Sequence, residues 1–156
     1  MKKILLMLSV ICLLSLQVGA QNNNSTYNSN TYKTAIGLKF YPGAVSLKHF
    51  IQDLKALEFL GYFRSNGFRI TGLYEIHGNI TNASGLKWYV GPGAHVTFFN
   101  EKAGGGGSGG VDGVVGLDFK VKGAPLDLAV DWQPSIEFKG ANFIADWFGI
   151  AIRFTL

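Results

Sequence analysis

The chain has 156 residues and a formal charge of +4, enough for one domain of ordinary size and too weakly basic to argue for a nucleic-acid partner. Its single cysteine, Cys12, falls in the first apolar run, so the remainder has neither a disulfide nor a thiolate metal site to hold it together. Stability must come from packing and from hydrogen-bonded backbone.

Residues 1–20 read as a secretory signal peptide. Lys2 and Lys3 precede the apolar run Ile4 to Leu16, and Val18, Gly19 and Ala20 supply small or neutral residues at a cleavage site before Gln21. The run is shorter than the ~20 residues a helix needs to cross a bilayer, which argues against an anchor. Bulky Ile11 before Cys12 argues against lipid attachment. Without Lys2 and Lys3 the 14 basic residues become 12 against 10 acidic ones, so much of the basic character belongs to the export signal. Residues 21–32, QNNNSTYNSNTY, hold almost no aliphatic surface to offset the entropy of ordering, and read as a flexible polar leader.

From Lys33 to Leu156 the texture is that of an all-β domain. About eight stretches rich in β-branched and aromatic residues, near 34–41, 44–51, 57–64, 68–77, 86–99, 111–121, 126–138 and 147–156, are separated by turn residues. The punctuation is Pro42-Gly43, Asp53 to Lys55, Ser65 to Gly67, Gly78 to Gly85, Ala103 to Gly110, Gly123 to Pro125 and Gly140 to Asp146. Consecutive strands with mostly short turns predict an antiparallel up-and-down meander that closes as a barrel. The glycine run Gly104 to Gly110 lacks the Lys-Ser/Thr ending of a phosphate-binding loop and reads as a loop tip.

Side chains alternate across a strand, and here they sort by polarity. The first stretch sets Ile36, Leu38 and Phe40 on one face. Leu117 and Phe119, then Leu128, Val130 and Trp132, and finally Phe148, Ile150, Ile152, Phe154 and Leu156, form the same kind of face further on. The basic residues Lys39, Lys48, Arg64, Arg69, Lys87, Lys120 and Arg153 all take the opposite parity. So do the acidic residues Glu58, Glu75, Asp112, Asp118, Asp127, Asp131 and Glu137, together with His77 and His95. His49 is the exception, sharing the apolar parity of Val45, Leu47 and Ile51.

Alternation alone does not say which face is inside. The later stretches reach the ~10 residues of a tilted membrane-spanning strand, and the apolar face is almost purely aliphatic and aromatic. Phe40, Tyr41, Trp88, Phe98, Trp147 and Phe154, near strand ends, suit interfacial girdles. With the export signal, these features predict lipid outside and charges inside, in the outer membrane of a gram-negative bacterium. An eight-stranded barrel has an interior just wide enough for side chains to fill, so the charges are expected to pair as an ionic plug and not to line an open channel. His77 and His95 lie on this face with Glu75. Without a third ligand at a characteristic spacing they are expected to be hydrogen-bonded lumen residues and not a metal or proton-relay site, and no cofactor is implied.

The segments Ile70 to Gly78, Leu86 to Val96 and Asp112 to Phe138, together with the outward alternation of the last strand, resemble the small eight-stranded outer-membrane β-barrels of the OmpA/OmpX type. The likeness covers roughly 34–156 and carries no catalytic signature. It implies both termini in the periplasm, outer-membrane lipid and the assembly machinery met during biogenesis among the partners, and a structural or surface-interaction role. Two alternatives stand beside it. One is a soluble periplasmic barrel with the faces reversed and a small apolar ligand in its mouth. The other is a lipid-modifying enzyme, since some barrels of this size use a Ser or His near the outer leaflet; His49, with Ser46 and Ser65, is the candidate set.

Overall fold

The computed structural model describes residues 32–156; the signal-peptide reading and nearly all of the leader reading lie outside them. The described chain is all-β. Its strands are β1 (Thr34–Phe40), β2 (Ala44–Gln52), β3 (Lys55–Arg64), β4 (Gly67–Asn79), β5 (Leu86–Phe99), β6 (Gly107–Lys120), β7 (Leu126–Trp132), β8 (Ser135–Glu137), β9 (Phe143–Ile144) and β10 (Phe148–Thr155). Neighbours pair antiparallel in chain order from β1 to β7, β7 pairs with β10, and β10 returns to β1, from Ala35 opposite Thr155 to Phe40 opposite Ile150. The result is a closed barrel of eight strands. Closure removes the unpaired edges that an open sheet would present.

The short pieces β8 and β9 continue β7 and β10 beyond the barrel wall. The pairing of β6 with β7 and β8 keeps one register, from Val115 opposite Trp132 to Asp112 opposite Ser135. The break between them is chemical: Pro134 has no N–H to give, and its carbonyl still accepts from Gly113 at 2.9 Å. On the other side, Ser135 opposite Ile144 and Trp132 opposite Phe148 differ by one residue in register, so the chain bulges at Ala145-Asp146.

Two predicted boundaries move. The sixth strand begins at Gly107, not Val111, because backbone pairing with Thr97 and Phe98 extends into the glycine run. The loop is therefore Asn100 to Gly106, closed by a 3-10 turn at Glu101–Ala103, and Gly104, Gly105 and Gly106 all take positive φ. The links at Asp53, 80–85 and 121–125 lie at the end of the barrel that carries Thr34 and Leu156, called here the termini end. Pro42-Gly43, Ser65-Asn66, the glycine loop and 138–142 lie at the opposite mouth. Pro42-Gly43 is short, while β5, β6 and β8 rise higher on the far side.

The core is inverted relative to that of a water-soluble domain. Ile36, Leu38, Phe40, Leu117, Phe119, Leu128, Val130, Phe148, Ile150, Ile152, Phe154 and Leu156 are all exposed on the outer wall. Trp132 is half-buried there, its indole N–H donating to the Ala145 carbonyl at 2.7 Å across the bulge. Inside, the apolar side chains Leu60, Tyr62, Leu73, Tyr89, Val114 and Trp147 pack among buried charges. Trp147 corrects a sequence expectation. It is not a girdle residue, because it follows the parity of Gly149, Ala151 and Arg153 and points into the barrel.

Candidate functional site: the charged interior and its mouth

Period-two alternation on closed strands brings every second side chain to one axis, and the polar parity is the one that faces it. Lys39, Lys48, Glu58, Arg69, Glu75, His77, His95, Asp112, Asp118, Asp127, Asp131 and Arg153 are all buried. They form successive clusters along the barrel.

Near the termini end, Phe50 packs its ring edge-on to Tyr32 at 5.3 Å and against His77 at 4.9 Å. Tyr32 is the last residue of the expected leader. Burial, reinforced by Asp118 and Asp127, pushes its phenol far above the ordinary range, so it closes the barrel as a neutral group. His77 stacks on Tyr89 at 5.2 Å and shares a hydrogen bond with Glu75 at 3.0 Å. Lys48 bridges Asp118 at 2.7 Å and Glu75 at 3.0 Å, with its ammonium 4.6 Å from the Tyr89 ring centroid.

At mid-height, Arg153 from β10 reaches across the interior. It pairs with Glu58 and with Asp127 at 3.0 Å, and its Nε donates to Ser46 Oγ at 2.7 Å. Ser46 in turn donates to Glu58 at 2.6 Å. Beside this cluster, Lys39 pairs with Asp131 at 2.8 Å and donates to Gln133 at 3.1 Å. The hydroxyls of Tyr62 and Tyr89 donate to Gln133 and Asp131.

Toward the mouth, Arg69 donates to Asp112 at 2.6 Å and to Glu137 at 3.3 Å, over the Trp147 ring at 4.2 Å. His95 spans the same two carboxylates, Nδ1 to Asp112 at 2.7 Å and Nε2 to Glu137 at 3.0 Å. Ser108 donates to the other Glu137 oxygen at 2.9 Å.

Four members of the predicted lumen set differ in depth. Arg64 is exposed at the mouth, its guanidinium 5.7 Å from the Trp147 ring, and Glu137 is half-buried at the same end. Lys87 is half-buried toward the termini end. Lys120 is outside the charge network: it donates to the carbonyls of Val121 and Ala124 at 3.2 and 2.5 Å, tying down its own turn. Parity predicts a side and says nothing of height. In the other direction, Ser46, Tyr62, Tyr89 and Trp147 take part without having been singled out as lumen residues, although all four sit on the inward parity.

His77 and His95 belong to separate clusters, and among the described residues no group of three His, Cys, Asp or Glu is arranged to hold a metal ion. Nor are the three residues of the enzyme alternative brought together. Ser46 is buried and engaged by Arg153 and Glu58; His49, on the outer parity, meets Thr34 Oγ1 at 2.9 Å; Ser65 is exposed in the mouth turn. No family model, curated protein or solved structure matches the chain.

Proposed function

We propose that this chain is an integral outer-membrane β-barrel of a gram-negative bacterium, of the small OmpA/OmpX type, with a structural or surface-interaction role and a lumen filled by side chains. One observation carries the reading. The outer wall is a continuous apolar belt while the interior holds the charges: Ile150 is 57% exposed and Val130 49%, whereas Arg153, Glu58 and Lys48 are 0% exposed. In water that arrangement leaves large apolar side chains solvated on every strand. In a bilayer it is the favourable one, with every wall strand paired on both sides and no free edge in hydrocarbon. Strands β3 to β6 run from 10 to 14 residues, long enough for tilted spans.

A soluble barrel with a ligand among its aromatic residues needs the reverse disposition, charges outward and Phe and Trp inward, and does not fit this wall. For the lipid-modifying reading, its candidates Ser46, His49 and Ser65 are not brought into contact with one another. In the favoured reading the partners are outer-membrane lipid and, during biogenesis, the assembly machinery. The test is fractionation of cells expressing the full chain, followed by gel mobility in detergent with and without boiling. Recovery in outer membranes with a heat-dependent shift is expected. Recovery in the soluble periplasmic fraction would overturn the reading.

A further inference from the structure

Above the plug, the mouth opens into a cavity of about 280 Å³ between the tops of β3, β4, β5 and β6 and the β8–β9 extension. Arg69, which lies over the Trp147 ring, is on its wall. Arg69 is held by Asp112 and Glu137, His95 bonds the same two carboxylates and Ser108 donates to the second Glu137 oxygen, so Glu137, which also lines the cavity, has both oxygens engaged by other groups. Above Arg69 are Arg64, whose guanidinium lies 5.7 Å from the Trp147 ring, and Lys139; among the described residues neither has a carboxylate partner. Thr97 Oγ1, on the same wall, is buried and lacks a hydrogen-bond partner. Phe99 and Ile144 add apolar surface to the lining.

From this arrangement we infer that the mouth is a binding site for a phosphate monoester, with Arg64 and Lys139 on the phosphate and a compact ring against Phe99 and Ile144. The charge argument selects the ligand. Arg64, Arg69 and Lys139 outnumber Glu137, the one carboxylate on the cavity wall, and favour an anion there, and a guanidinium fork suits phosphate oxygens better than a point charge does. The cavity, at the small end of ligand pockets, has room for a phosphate and one six-membered ring. The site stands on the mouth geometry and does not require the membrane reading.

The test is isothermal titration of the folded full chain, in a maltoside detergent free of phosphate, with phenyl phosphate and separately with a short-chain phosphatidic acid. Arg64→Gln and Lys139→Gln should each weaken binding at least tenfold, and Lys102→Gln, in the adjacent glycine loop, should leave it unchanged. All three positions are exposed, and the heat-dependent gel shift verifies that each variant is folded. Saturable binding of phenyl phosphate with this dependence identifies a soluble ligand. Binding of phosphatidic acid alone, with the same dependence, identifies a lipid-borne phosphate at the same site and overturns the ring contact with Phe99 and Ile144. Absence of binding by both probes, or binding indifferent to Arg64 and Lys139, overturns the proposal.

Discussion

Arg153 and Lys48 each hold two buried carboxylates, and the interior as a whole is richer in acids than in bases. Glu58, Glu75, Asp112, Asp118, Asp127 and Asp131 are fully buried against Lys39, Lys48, Arg69 and Arg153. Removing one partner of a buried pair strands the other, so the imbalance makes the two signs unequal in cost. Lys48→Met leaves Asp118 and Glu75 without their cation and should cost about 3–5 kcal/mol of stability, whereas Glu75→Gln leaves Lys48 its Asp118 partner and should cost about 1 kcal/mol. Urea unfolding of the barrel in detergent reads both, and equal losses would contradict the asymmetry. Lys120→Ala removes a turn clasp and not a plug charge, and should cost about 1 kcal/mol or less on the same scale. At this scale the sequence disclosed which side of the sheet each charge takes. It did not disclose depth, because height in the barrel depends on strand register and turn length, which side-chain polarity does not encode. Arg64 and Lys120 were misjudged for that reason, whereas the side taken by Trp147 was legible in its parity and was overridden by its place near a strand end.

The strands themselves were legible where side chains alternate. The β4 and β5 segments were placed within a few residues, and the inward and outward faces of β7 and β10 follow the pattern residue by residue. Legibility failed where glycine carries no pattern, at Gly107 to Gly110, whereas the single stretch read over 126–138 does continue in register across Pro134, as β7 and β8. The closing seam shows what glycine contributes. A Cβ on Gly37 would lie 2.0 Å from the Ile152 carbonyl oxygen and 2.5 Å from the Arg153 Cα, so β1 approaches β10 closely only because position 37 has no side chain. Gly37→Val should therefore sharply reduce the fraction of chain that refolds to the heat-shifting form; wild-type refolding would show that the seam can yield. On the outer wall of the same pair of strands, Ile152→Arg and, on β7, Val130→Arg should each oppose folding into lipid vesicles by about 2–4 kcal/mol if these residues sit near the bilayer midplane. Assembly of both variants at wild-type levels would count heavily against a lipid-facing wall.

For the molecule as a whole, closure and filling act together. The ladder leaves no wall strand unpaired, and interior side chains meet across the axis, as Arg153 of β10 does with Glu58 of β3 and Lys48 of β2 with Asp118 of β6. A barrel plugged in this way should give no more than baseline conductance in a planar bilayer, and a stable open pore would mean that the interior ion pairs part in the membrane. Closure was foreseeable from strand number and turn spacing, but the oblique rim, low at Pro42-Gly43 and tall at β5 to β9, was not, because it arises from residue-level register. The three tryptophans end up in different surroundings: Trp88 is exposed on the outer wall, Trp132 half-buried there, and Trp147 enclosed between Arg69 and Tyr62. The chain thus carries optical reporters for two compartments. Brominated lipid should dim the emission of Trp88 and Trp132 while sparing Trp147, and a variant retaining Trp147 alone would glow from the interior, sensing through its colour whatever settles over Arg69.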